Sequence, residues 1–276
     1  MDALELRKLQ LIQSEILRDF KNICKKYNLT YFLVFGTLLG SVRHKGFIPW
    51  DDDIDVAMPT KDYLKFIEVS QSEFRNKYFL QTYNTDVEFH YSFAKIRKNN
   101  TTMLEPTFKN CHIHHGIWID IFPVISINNH YEYKFKKFII NLCNYLTMDN
   151  FYASNKSEYD KILGSVGKHY LKVLYKTPKN WRLLVKNILI NLFIFHAPNK
   201  TKKYCATLQA HLDKPCNSEW YNNYELLEFE GELFSVPSEY SNILKDIYGD
   251  YMKLPPIDQR KHHVSFVDFS HNYKHE

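Results

Sequence analysis

Four carboxylates stand within five positions, at Asp51, Asp52, Asp53 and Asp55. Like charges this close raise one another's pKa unless a cation neutralises them, so the segment predicts a bound cation. If Asp53-Ile54-Asp55-Val56 is extended, alternation sends both carboxylates to one face and Ile54 and Val56 into the core, so that two oxygen donors converge. Hard oxygen donors select Mg²⁺, or Mn²⁺, over zinc. A calcium loop of the EF-hand type is excluded, because counting from Asp51 the sixth position is Val56, not Gly, and the twelfth is Asp62, not Glu.

The residues just upstream suit a phosphate. Gly36-Thr37 ends the apolar Tyr31–Phe35 run, and a glycine there lets backbone N–H groups come close to an anion. Arg43, His44 and Lys45 then add positive charge before Gly46 turns the chain back. The predicted order is a strand, a small-residue turn, a basic loop and a second strand carrying Asp-x-Asp. A polymerase-β-like nucleotidyltransferase begins in this way. Within that superfamily GTLLGSVRHKGFIPWDDDID resembles the LicD family, the bacterial phosphocholine transferases related to the fukutin-related proteins. Phe93–Thr102 (FAKIRKNNTT), Gly116–Pro123 (GIWIDIFP), Phe229–Pro237 (FEGELFSVP) and Tyr248–His263 (YGDYMKLPPIDQRKHH) resemble further LicD segments in the family's order. The resemblance therefore runs from Leu29 to His263, with roughly 130–215 unmatched.

Work on an acceptor hydroxyl needs a third carboxylate, and Asp120 is the candidate. It stands among bulky strand formers in Gly116-Ile117-Trp118-Ile119-Asp120-Ile121-Phe122, and a buried carboxylate demands a metal, a proton or a partner. The resemblance places it at the family's third acidic position, so the expected metal set is Asp53, Asp55 and Asp120. Arg43, Lys45 and Arg97 are expected to add positive charge to the donor's phosphates. His262 and His263, beside Arg260, are candidates for substrate contact. Cys111-His112-Ile113-His114-His115 is a poor zinc site, because on a strand only His112 and His114 would share a face and no second ligand pair follows.

The resemblance implies CDP-choline as donor, CMP as leaving group and a sugar hydroxyl of a teichoic acid, capsule or lipopolysaccharide precursor as acceptor, free or lipid-linked. Relatives use CDP-ribitol or CDP-glycerol. Two other classes share these features: a nucleotidyltransferase releasing pyrophosphate, and a non-catalytic protein binding a membrane or nucleic acid through a basic segment. Intact acidic residues favour an enzyme, and no nucleic-acid partner is expected.

These residues need elements to position them. Leu9, Ile12, Ile16, Phe20 and Ile23 recur at helical spacing and predict an amphipathic helix over 3–27, ending near Asn28. Thr60 is the expected N-cap of a helix over 61–74 with Tyr63, Phe66 and Ile67 inward, and Ser238 that of a helix running to Tyr248 and stopped by Gly249. Strands are expected at 78–83, 90–97 and 117–122. From Tyr131 to Lys203 there are 14 Lys and Arg against 4 Asp and Glu, a net of +10 in a chain whose total is +5. This segment, with apolar runs at Phe138–Leu146 and Leu183–Phe195, reads as a helical insertion. The expected fold is α+β: a nucleotidyltransferase-like mixed sheet flanked by helices, divided into a core at 1–130, a basic helical insertion at 131–203 and a completing part at 204–276.

At 276 residues, 45% hydrophobic and 16% aromatic, the chain can bury a full core. Its five cysteines are scattered and predict reduced thiols without a disulfide framework. The charged, periodic N-terminus excludes a secretory signal, and no run reaches transmembrane length, so the expected location is cytoplasmic, with a peripheral contact at the inner face of the membrane through 131–203.

Overall fold

The computed structural model describes residues 1–156, 169–196, 203–209, 211–260, 262, 264 and 266–273. Helix α1 (Ala3–Tyr27) opens on a reciprocal Asp2–Glu5 capping box and closes on Asn28 in the left-handed conformation, as its sequence predicts. Its inward stripe of Leu9, Ile16, Leu17 and Phe20 is buried against the sheet, each side chain contributing about 1.5–3 kcal/mol by leaving water.

A mixed sheet carries the molecule, in the order β1 (Phe32–Leu33), β2 (Asp55–Pro59), β6 (Trp118–Ile127), β4 (Ala94–Lys98) and β3 (Tyr78–Gln81). β2 and β6 run parallel, and the other pairs on this path are antiparallel. The second half of β6 pairs with β7 (Tyr204–Thr207), which pairs with β8 (Cys216–Asn217). Small two-stranded pieces join β5 (Thr102–Leu104) to β11 (Phe266–Asp268), and β9 (Tyr224–Phe229) to β10 (Glu232–Pro237). Ile54, Val56, Ile96, Ile119 and Ile121 enter the core with α1 and with α3 (Thr60–Glu73). The α+β class with a helix-flanked mixed sheet is the one the sequence predicts.

Three local expectations need correction. Phe35–His44 is not a turn and basic loop but a helix, α2. Gly36 and Gly40 lower its propensity, yet tertiary fit requires them, since a Cβ on Gly40 would collide with the Gly46 carbonyl. Thr60 is the first residue of α3 and not its cap, its hydroxyl donating to the Val124 carbonyl at 2.7 Å. Ser238 likewise caps nothing: the C-terminal helix α7 is Tyr240–Tyr248, and the Ser238 amide bonds to Asn223.

The basic segment contributes α4 (His130–Thr147), α5 (Asp149–Ser154), a helical stretch over 169–174, and α6 (Lys179–Leu189) continued by a π-helical turn at Ile190–Phe195. Ile139, Ile140, Ile190 and Ile194 pack on Ile125 and Ile127 of β6, forming a separate apolar cluster. The five cysteines are free thiols, and β7–β8 pairing brings the sulfurs of Cys205 and Cys216 to 3.6 Å, a proximity their spacing does not reveal.

Candidate active site

The acidic run alternates as an extended chain must. Asp52, Ile54 and Val56 are buried, whereas Asp51, Asp53 and Asp55 are half-buried. Asp52 is a structural carboxylate: Oδ2 accepts from the Val264 amide at 2.9 Å, and its carbonyl is held by Gln13 of α1 at 2.9 Å. The start of β2 is fixed from α2, where the Thr37 hydroxyl accepts the Asp55 amide at 2.8 Å. Gly36 leaves room for a carboxylate, because a Cβ there would lie 2.8 Å from Asp51 Oδ2. Phe35 before it holds φ at +50°, a costly conformation for a bulky residue and one that clusters at functional sites. The first turn of α2, whose N-cap Val34 makes no side-chain cap hydrogen bond, thus abuts the acidic segment, and a helix N-terminus is a favourable place for a phosphate.

Strand register builds the rest. Asp55 pairs with Asp120 across β2–β6, Asp120 with Lys95 across β6–β4, and Lys95 with Gln81 across β4–β3, so these four side chains form one row on one face. The Lys95 ammonium, itself 3% exposed, sits 2.8 Å from Asp120 Oδ1 and 3.5 Å from Glu105, and lies over the Trp118 ring. Burial pushes the Asp120 pKa up and Lys95 pulls it back, while Glu105 pushes it further up. Asp55 is held well above the ordinary carboxylate range, first by burial and then by repulsion from Asp53, Asp120 and Asp51.

Lys95 is the charged member of this row that the sequence does not single out. It lies two residues before Arg97 in the same quoted motif and on the same face of β4. Arg97 itself is placed away from the cleft: it is fully buried, with its guanidinium donating to Gln81 Oε1 at 2.5 Å, the Gly116 carbonyl at 3.0 Å and Glu105 at 3.0 Å. The phosphate role expected of Arg97 is therefore corrected to one of bracing Glu105 and the sheet.

Beside Asp51 opens a cleft of about 650 Å³, lined by Gly36, Arg43, Trp50, Tyr248, Tyr251 and Lys253 among others. Arg43 and His44 close the last turn of α2, where cations suit the helix dipole, and Lys45 is its left-handed cap. Arg43 reaches the C-terminal segment, donating to the Tyr251 carbonyl at 2.8 Å. Burial and the charge of Arg43 hold His44 below its ordinary pKa. Tyr248 is raised by burial and by Asp55, Asp51 and Asp53, which places its hydroxyl in the field of the acidic run. His262 Nδ1 is 3.0 Å from the Trp50 carbonyl at the cleft's edge, and the Arg260 guanidinium lies 4.8 Å from the Trp50 ring. His263 lies outside the described residues. His114 is engaged with Asn99 and the Gly116 amide, and His115 with the Cys111 carbonyl.

Among the described residues no group of three or more His, Cys, Asp or Glu side chains forms a ready-made metal cage. The donor set nevertheless fits Mg²⁺, which is commonly held by one or two carboxylates with water and substrate phosphate completing its shell. Asp53 and Asp55 would supply the carboxylates, and the mutual repulsion that raises Asp55 is what a divalent cation would relieve. Asp120, the third carboxylate, is paired with Lys95 at 2.8 Å.

The chain is similar in sequence to known proteins. The family model described as the LicD/FKTN/FKRP nucleotidyltransferase domain matches residues 28–153. The chain is 30% identical over 284 residues to the lipopolysaccharide cholinephosphotransferase LicD of Haemophilus influenzae, covering 96% of this chain and 98% of that protein. An uncharacterised protein of Rickettsia prowazekii is 28% identical over 125 residues, 45% of either chain. One of Rickettsia typhi is 38% identical over 65 residues, 24% of this chain and 20% of that protein.

Proposed function

The chain belongs to the LicD family, and from that premise we propose that it transfers phosphocholine from CDP-choline to a sugar hydroxyl of a cell-surface glycan precursor, releasing CMP. The observation that carries this reading is the Asp55–Asp120–Lys95 row beside an acidic run and a basic, aromatic cleft. Similarity to a lipopolysaccharide cholinephosphotransferase over nearly the whole chain supports phosphocholine as the transferred group and a glycan of the lipopolysaccharide class as acceptor.

Asp53 and Asp55 would hold Mg²⁺, which when bound neutralises phosphate charge as the anhydride breaks. The remaining chemistry belongs to the chain. The first turn of α2 and Arg43 bind and orient the donor's phosphates. Asp120 takes the proton of the acceptor hydroxyl, whose oxygen forms the new bond to phosphorus as the phosphorus–oxygen bond to CMP breaks and CMP leaves with the electron pair. Lys95 fixes the Asp120 carboxylate and balances its charge before the proton arrives.

A neighbouring cavity of about 300 Å³ favours choline over a polyol as the head group. Its walls include Phe35, Trp220 and Tyr221 with the carboxylate of Asp213, and Lys214 paired with Asp246 at 3.6 Å; the aromatic faces and the Asp213 carboxylate suit a quaternary ammonium. Phe35 ties it to the catalytic row: its ring centroid is 5.8 Å from that of Phe122, two residues beyond Asp120 on β6. The test offers CDP-choline, CDP-ethanolamine, CDP-ribitol and CDP-glycerol with Mg²⁺ and an envelope glycan precursor. CMP release greatest from CDP-choline, and reduced in the Trp220→Leu chain for that donor alone, is expected. A preference for CDP-ribitol or CDP-glycerol would reassign the transferred group.

A further inference from the structure

Helix α6 is inside out. In ordinary surface helices the apolar stripe turns inward. Here Trp181, Leu184, Ile188 and, on the π-helical turn, Leu192 are 66%, 51%, 48% and 59% exposed, whereas Arg182 and Lys186 are 5% and 0% exposed. The inward cations have work to do there. Arg182 donates to the Leu146 carbonyl at 2.7 Å and contacts Asp149 at 3.0 Å, and Lys186 donates to Thr147 Oγ1 at 3.1 Å and to the His90 carbonyl. Together they satisfy the C-terminal end of α4, and that arrangement commits the opposite face of α6 to the surface.

The apolar surface continues onto α4. Phe135 and Phe138 are 47% and 63% exposed, and the Phe135 ring packs edge-on against Phe193 at 5.4 Å, joining the two helices into one patch. Tyr170 and Val173 of the stretch over 169–174 are also exposed. Among the described residues of this segment the exposed Lys, Arg, Asp and Glu side chains are all lysines, among them Lys134 and Lys137 on α4, flanking Phe135 and Phe138 in sequence, and Lys156, Lys172 and Lys176. The described acidic side chains of this segment are neutralised, Glu132 by Lys136 at 3.1 Å and Asp149 by Arg182. No helix of the described residues is long and apolar enough to cross a membrane.

We propose that the face formed by α4, α6 and the π-helical turn docks the chain on an anionic phospholipid bilayer, with the apolar side chains in the interface and the lysines on the lipid phosphates. Charge complementarity selects this occupant over a neutral apolar partner, since each lysine near an anionic surface adds attraction while Trp and Phe suit the headgroup boundary. The docking would hold the active site beside an acceptor carried on lipid.

Flotation of the full chain with vesicles of phosphatidylcholine alone, or doped with phosphatidylglycerol, tests this. Binding to the anionic vesicles at low salt, weakened by added salt and by about ten-fold or more in a Leu184→Glu, Ile188→Glu chain, is expected. Both side chains are exposed, so the folded state survives, and CMP release in free solution should match the unsubstituted chain. A Lys134→Glu, Lys137→Glu chain should lose the preference for anionic lipid. Equal binding to neutral and anionic vesicles, no binding at low salt, or unchanged binding by the Leu184→Glu, Ile188→Glu chain would overturn the proposal. So would a dimer that this chain converts to a monomer, because a second copy would then cover the face.

Discussion

Asp55 is unfavourable for the fold and, in the proposed reaction, necessary for the chemistry, and the two can be separated. Its folded pKa is raised by burial and by three neighbouring carboxylates, so between the ordinary carboxylate pKa and that raised value the native state binds the extra proton. Stability of the metal-free chain therefore falls as pH rises through this window, and Mg²⁺ should restore it above. Asp55→Asn should raise the melting temperature of the metal-free chain by a few degrees, consistent with relief of about 0.5–2 kcal/mol, while abolishing turnover. Calorimetry with and without Mg²⁺ checks this, and a less stable Asp55→Asn chain would show that the carboxylate is paired and not strained. Asp120→Asn should lower kcat by about 10²–10⁴-fold with little change in donor affinity. An equal loss of donor binding would place Asp120 in the metal shell. The carboxylates of the site were legible because alternation at Asp53–Val56 and the apolar context of Asp120 are local signals. Lys95 was not, because its role depends on β4 lying beside β6, a non-local pairing, and Arg97 in the same motif drew the attention.

At the scale of elements, the sequence is informative where periodicity and packing agree. α1 reads cleanly from Leu9 to Ile23, and its end at Asn28 follows from the left-handed cap. α2 misleads because Gly36 and Gly40 look like turn residues, although they serve close approaches to Asp51 and Gly46. α6 shows its period but not its orientation, since the polar stripe faces inward to complete α4. Burial lowers the Lys186 pKa to about 7. Between that value and the ordinary lysine range the unfolded chain binds the extra proton, so this residue adds stability as pH rises above 7. Lys186→Met should flatten that slope in melting temperature between pH 7 and 9. An unchanged slope would mean that the ammonium is fully compensated by the His90 carbonyl and Thr147.

The whole molecule separates its chemistry from its basic surface. The acidic row lies at the start of β2 and within β6, whereas the described helices of the basic segment, α4 and α6 with its π-helical turn, pack on the far half of β6 and on β7. That division was visible in the charge count, but the partner of the exposed apolar face was not, because composition cannot say which side of a helix meets the core. The central claim is a transfer that conserves the donor's phosphocholine. The most direct measurement follows CDP-choline labelled in the choline moiety, with Mg²⁺ and an envelope glycan precursor, and quantifies CMP, pyrophosphate and labelled glycan together. Label should enter the glycan in equal amount to the CMP released, and both should vanish in the Asp55→Asn chain. Release of pyrophosphate, or CMP without label in the glycan, would contradict the account.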